Sequence, residues 1–198
     1  MSDIAPSTYV EVEPEPPEQQ ERNVWAGARL LASSTVFLFL PFLFGYVYLA
    51  SLNTAGMWRP AHLTAPLGWG VAVMLAVVAS AGLVAWARAD LARGKNAASR
   101  WLMLAALLVG LAAVVLQGVE YSRLGFGPTD GGYASIFVGW TGFFALIVLA
   151  AMVWLEIIVA SAFRNGNDAE RANLDALGFY LTFVAGLGVV TFAFLYLV

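Results

Sequence analysis

The chain has 198 residues, of which 61% are hydrophobic and 12% charged. A soluble domain averages roughly half apolar and a quarter charged, so this chain is too apolar to fold as one in water. It has no Cys and a single His, His62, which excludes a Cys-ligated zinc, an iron–sulfur cluster, a disulfide framework and a Cys nucleophile. Any haem or copper centre bound by several histidines is likewise excluded from this polypeptide.

The net charge of −3 hides an asymmetry, because residues 1–24 carry −5 through Asp3, Glu11, Glu13, Glu15, Glu18 and Glu21 against Arg22. Pro6, Pro14, Pro16 and Pro17 are interleaved with these acids. Such a segment buries too little apolar surface to offset its ordering entropy, so residues 1–23 read as a disordered acidic tail. It lacks the basic start and early apolar run of a signal peptide.

Beyond Asn23 long apolar runs alternate with short polar breaks. A helix needs about 20 apolar residues to cross the hydrocarbon core, and five runs suffice: 24–52, 65–87, 101–123, 134–162 and 174–198. All are apolar around their whole circumference, as lipid or bundle burial requires. The breaks carry turn chemistry: Asn53-Thr54-Ala55-Gly56, Arg93-Gly94-Lys95-Asn96, Gly125-Phe126-Gly127-Pro128 and Arg164-Asn165-Gly166-Asn167-Asp168. The expected fold is all-α: an integral membrane bundle of five transmembrane helices over residues 24–198.

Orientation follows from the cations. Arg22, Arg29, Arg88, Arg93, Lys95, Arg100, Arg164 and Arg171 fall on one side of the membrane, and only Arg59 and Arg123 on the other. The positive-inside rule places the N-terminus in the cytoplasm and the C-terminus outside. Trp25, Trp86 and Trp101 near one boundary and Trp58 and Trp69 near the other occupy the usual aromatic belts.

Ionisable groups in the spans are the exceptions that matter. Gln117, Glu120 and Tyr121 share a helix face by their spacing, and Arg123 lies three residues beyond Glu120, placed to pair with it. Two readings stand side by side: an interfacial carboxylate neutralised by Arg123, or a polar anchor between helices or subunits. Glu156 lies near the inner face, close enough to snorkel or to meet Arg164 through water. Gly110 with Ala113, Gly139 with Gly142, and Gly186 with Gly188 are candidate points of close helix approach. Pro41 removes a backbone bond inside the first span, which neighbouring helices or Ser33 and Ser34 must absorb. His62 stands in a loop without Ser or Asp partners for a triad, and no phosphate loop or basic aromatic patch for nucleic acid is present.

One set of ordered motifs resembles subunit III of the haem–copper oxidases. It comprises Gln117-Gly118-Val119-Glu120-Tyr121, a Gly/Pro turn, Gly132-Tyr133-Ala134-Ser135-Ile136-Phe137, and Thr141-Gly142-Phe143. Trp25 to Tyr46, with Leu31-Ala32-Ser33-Ser34, is similar to the first helix of the five-span form, and Trp58-Arg59-Pro60 to its outer loop. Phe179-Tyr180-Leu181-Thr182-Phe183-Val184 is similar to the family's last helix. The departures are specific. The family's membrane Glu is Thr35 here, two histidines of its T-G-F-H-G-x-H-V pattern are Phe144 and Ile147, and the His and Asp of its last helix are Thr182 and Ala185.

The resemblance implies a non-catalytic subunit of a respiratory terminal oxidase in a prokaryotic plasma membrane. It would hold no cofactor itself, with haem and copper in the partner subunits. Its partners would be the catalytic subunit I, subunit II and membrane lipid, within a complex that couples oxygen reduction to proton translocation. Gln117, Glu120, Tyr121, Arg123, Thr141, Gly142 and Phe143 are then packing and polar-anchor positions. An accessory subunit of a quinol oxidase or nitric oxide reductase is the alternative within the family. A small transporter or lipid-binding scaffold is the alternative from another class. It predicts paired charges near the bilayer middle or matching broken helices, and the sequence has neither.

Overall fold

The structure is a computed structural model that describes residues 16–53, 58–59, 63–166 and 170–197. His62 and the first fifteen residues lie outside the described residues. Five long helices make up the fold: α1 (Pro17–Ser51), α2 (Leu67–Ala92), α3 (Asn96–Arg123), α4 (Gly132–Asn165) and α5 (Arg171–Phe192). A π-helical turn, Ala193–Leu197, continues α5. All five are long and apolar enough to cross a membrane. The expected all-α bundle of five spans is the fold observed.

The helices overrun the apolar windows at their charged ends. The α1 helix begins at Pro17, so residues 17–23, expected as the end of a disordered tail, are helical. Proline at the first helical position is pre-organised for a helix start, and Glu18 in the first turn complements the helix dipole. With 35 residues and 1.5 Å per residue, α1 is about 52 Å long, far more than the hydrocarbon core requires. It runs through Pro41 unbroken. Ser33 does not relieve that position, since its hydroxyl donates to the Arg29 carbonyl at 2.9 Å.

At the α2–α3 link the stop signal is explicit. Gly94 has a φ of 74°, the left-handed region that favours glycine. Lys95 N–H donates to the Asp90 carbonyl at 2.9 Å and Gly94 N–H to that of Leu91 at 3.0 Å. This is a Schellman cap, and α3 starts again at Asn96, leaving a tight antiparallel hairpin.

Around the bundle α1 packs on α4 and α5, α5 on α2, α2 on α3, and α3 on α4, with α4 also against α5. The α4 helix is the centre, burying Phe137, Trp140, Met152, Leu155 and Ile158. By contrast α1 keeps a long lipid-facing stripe, with Phe37 and Phe44 each 71% exposed. Since lipid tails are as apolar as Leu, close packing rather than water exclusion must hold such helices together. At Gly110 a Cβ would overlap the Met152 thioether and lie 3.0 Å from Ser80 Oγ. Gly139 and Gly188 lie tightly against Phe42 and Phe144, whereas Gly186 meets nothing within 4 Å. Small residues thus mark close approach at Gly110, Gly139 and Gly188, and Gly186 is not such a point.

Candidate functional site

Two groups of polar side chains lie within the apolar bundle near the C-terminal end of α3. In the first, Glu120 is 0% exposed. Its carboxylate accepts a hydrogen bond from Gln117 Nε2 at 2.7 Å and another from the Tyr196 hydroxyl at 2.5 Å. In the second, the Tyr121 and Thr141 hydroxyls are hydrogen-bonded at 2.7 Å, and Tyr121 also donates to the Val138 carbonyl at 3.3 Å. Gly142 lies beside this pair, where a Cβ would stand 3.4 Å from the Tyr121 hydroxyl. Neighbouring residues on α3 therefore look in different directions, Glu120 toward the π-turn and Tyr121 toward α4.

The structure brings together Gln117 with Glu120, and Tyr121 with Thr141 and Gly142. It separates the other two candidates. Arg123 is exposed and forms no ion pair with Glu120, so the expected pairing is corrected. Burying a guanidinium beside that carboxylate would strip both charges of water, a cost that attraction rarely recovers. Arg123 instead points outward, and neutral donors satisfy the carboxylate. Phe143 is 41% exposed and packs its ring on Phe42 of α1, 5.4 Å between centroids. Glu156 is exposed on α4 and has no ion pair with Arg164 among the described residues.

Four features of this kind escape a reading of the sequence. Tyr196 supplies the second donor to Glu120. Tyr180 of α5 hydrogen-bonds Thr35 of α1 at 3.2 Å. Trp140 Nε1 donates to Thr191 at 2.8 Å. Arg88 of α2 pairs with Asp175 of α5 at 2.6 Å, its side chain running close over Gly178. Only the last leaves a usable signal, two opposite charges at the same-side ends of two apolar runs. Every buried side-chain polar atom among the described residues has a partner. No group of three or more His, Cys, Asp or Glu side chains among them is arranged to hold a metal.

The same stretch of α3 and α4 lies inside a long match to known proteins. The family model for cytochrome c oxidase subunit III matches residues 18–198. The chain belongs to the cytochrome c oxidase subunit III family. Two relatives named cytochrome c oxidase subunit 3 are each 30% identical to it. That of Gadus morhua aligns over 189 residues, 92% of this chain and 70% of the relative. That of Oncorhynchus mykiss aligns over 176 residues, 85% and 66%. The protein of the same name from Pylaiella littoralis is 25% identical over 183 residues, 89% and 67%. The chain thus spans about two thirds of the length of the curated relatives it matches. Of the departures Thr35, Phe144, Ile147, Thr182 and Ala185, Thr182 is exposed, its hydroxyl on the Gly178 carbonyl, and Ile147 and Ala185 are half-buried. Phe144 and Thr35 are themselves buried, Phe144 against Gly188 and Thr35 against Tyr180.

Proposed function

We infer that the chain acts as the non-catalytic subunit III of a respiratory haem–copper terminal oxidase. The observation that carries this reading is the family match running from residue 18 to 198 over five membrane-length helices. In this role it packs against the catalytic subunit I, with subunit II in the same complex, and stabilises them in lipid. Haem and copper reside in those partners. The complex reduces oxygen and couples that reaction to proton translocation, in the plasma membrane of a prokaryote. The Arg88 end of the bundle, rich in Lys and Arg, faces the cytoplasm and the Glu120 end faces outward.

In this reading Gln117, Glu120, Tyr121 and Thr141 are polar anchors and Gly142 a packing position, together fixing the relative positions of α3, α4 and the π-turn. Phe143 and Arg123 serve at the surface, where Phe143 meets α1 and Arg123 meets the interface. Apolar grooves flank α1, one lined by Leu31, Leu38, Leu146, Ile147 and Trp154 and one by Val36, Leu40, Leu43, Phe183 and Leu187. They suit lipid chains.

The test is extraction from native membranes in mild detergent, capture through a tag on this chain, and a haem spectrum of the captured material. Copurification with a many-His, haem-bearing subunit is the expected result. A chain recovered alone, with the haem left behind under conditions that keep the oxidase intact, refutes the reading.

A further inference from the structure

The segment Ala193–Leu197 leaves the α-helical register just where it meets the rest of the bundle. A π-turn takes one more residue per hydrogen-bonded turn than an α-turn and is rarely adopted without a local reason. Here the reason is where it sends its side chains. Phe194 packs on Tyr46 of α1 at 5.9 Å and on Trp140 of α4 at 6.2 Å. Leu195 is 0% exposed, and its carbonyl accepts a hydrogen bond from the Tyr133 hydroxyl at 2.7 Å. The Tyr196 ring meets Phe137 of α4 edge-on at 5.4 Å and enters the space above Gly70 of α2, where a Cβ would overlap it. Its hydroxyl then reaches Glu120 of α3. Five residues therefore touch all of the first four helices.

We propose that Ala193–Leu197 is a latch. Seating Tyr196 through the gap at Gly70 onto Glu120 closes this end of the bundle, and its release is the motion that opens this end and uncovers the carboxyl. Among the described residues two side-chain hydrogen bonds tie the segment to other helices, Tyr196 to Glu120 and Tyr133 to the Leu195 carbonyl, beside ring packing and the buried Leu195 side chain. Release is tolerated at the Tyr196 position because a Tyr side chain is at home at a membrane–water boundary. The seated state is specific because the Glu120 carboxylate takes a donor from this segment and a ring fits only over a glycine. The proposal stands on this chain's own geometry and does not depend on its place in an oxidase.

The absence of Cys makes a clean test available. Leu195→Cys places one thiol in the seated segment, and Met103→Cys, at a site 1% exposed in α3, reports on the bundle as a whole. Each is followed with a water-soluble maleimide in the solubilised chain, with Ala193→Cys, which keeps every ring of the segment, as a second reporter should Leu195→Cys not fold. A seated latch protects the thiol at 195. Tyr196→Phe keeps the ring and removes the bond, and labelling at 195 then rises roughly 5- to 30-fold, the range set by one buried hydrogen bond. Glu120→Gln acts in the same direction, and adding it to Tyr196→Phe brings much less than the product of the two. Gly70→Ala unseats the ring and gives the largest rise. Labelling at 103 rises much less than labelling at 195 in all four backgrounds. Immediate labelling at 195 in the otherwise native chain overturns the latch. So does an unchanged rate in Tyr196→Phe, and so does a parallel rise at 103, which would mean that the bundle opens as a whole.

Discussion

The two ends of the bundle tie their helices together with different chemistry. At the Glu120 end the ties are buried: a carboxylate held by an amide and a phenol, a tyrosine on a backbone carbonyl, and paired hydroxyls between α3 and α4. At the Arg88 end an ion pair within reach of water joins α2 to α5, beside one buried bond from the Ser99 hydroxyl to the Ala87 carbonyl. Arg88 and Asp175 are 33% and 36% exposed in their side chains, and the exposed Arg93 and Lys95 approach Asp90. Where water reaches, full charges of both signs are tolerated, and each pair is individually weak. Where it does not, a single carboxylate with neutral donors avoids desolvating a cation, but every partner becomes costly to lose. The difference locates the stability of the bundle.

The largest effect is expected at Glu120. Glu120→Ala leaves the Tyr196 hydroxyl and the Gln117 amide buried without their acceptor and opens a cavity. It should destabilise the chain by roughly 3 kcal/mol, read from unfolding in a denaturing detergent titration and from reduced recovery of the assembled complex. Loss of less than about 0.5 kcal/mol, within the range of ordinary surface substitutions, would erase the contrast between the ends. Tyr133→Phe removes one buried donor without changing shape, for a smaller loss of about 1.5 kcal/mol in the same titration. Arg88→Met, at the other end, should cost less than about 1 kcal/mol after allowance for solvent screening. That loss should shrink further as salt is raised from low to high concentration, whereas the Glu120→Ala loss should not. Equal salt sensitivity at both ends would show that water reaches Glu120 as well. Lys95→Ala should change stability by no more than about 0.3 kcal/mol, since its ammonium lies 3.8 Å from Asp90 at an exposed rim.

The legibility of the sequence follows the same division. Five spans are readable because an uncharged apolar run of membrane length has little use in a protein except to cross a bilayer. Their ends are not, because α2 and α3 extend through Arg88, Asp90 and Asn96, charges and polar groups that a hydropathy reading assigns to loops but that helices keep at the membrane boundary. Composition assigns residues 17–23 to the tail, while the proline and acids that suggest it are equally good at starting a helix. At the candidate site, the spacing of Gln117 and Glu120 correctly places them on one face of α3. It also suggests Arg123 as partner, since spacing along one helix can nominate only neighbours in sequence. The partner from outside α3, Tyr196, lies within a π-turn that a 3.6-residue periodicity does not register. Gly70 is unreadable for a related reason, as the need for a missing Cβ arises only when the Tyr196 ring is put in place.

The bond between Glu120 and Tyr196 joins residues 76 positions apart. A ribosome adding 5–20 residues per second makes the second of them roughly 4 to 15 s after the first. Until Tyr196 has been made, the Glu120 carboxyl lacks the phenol that covers it in the folded bundle. A slow codon stretch between the two residues would lengthen that interval.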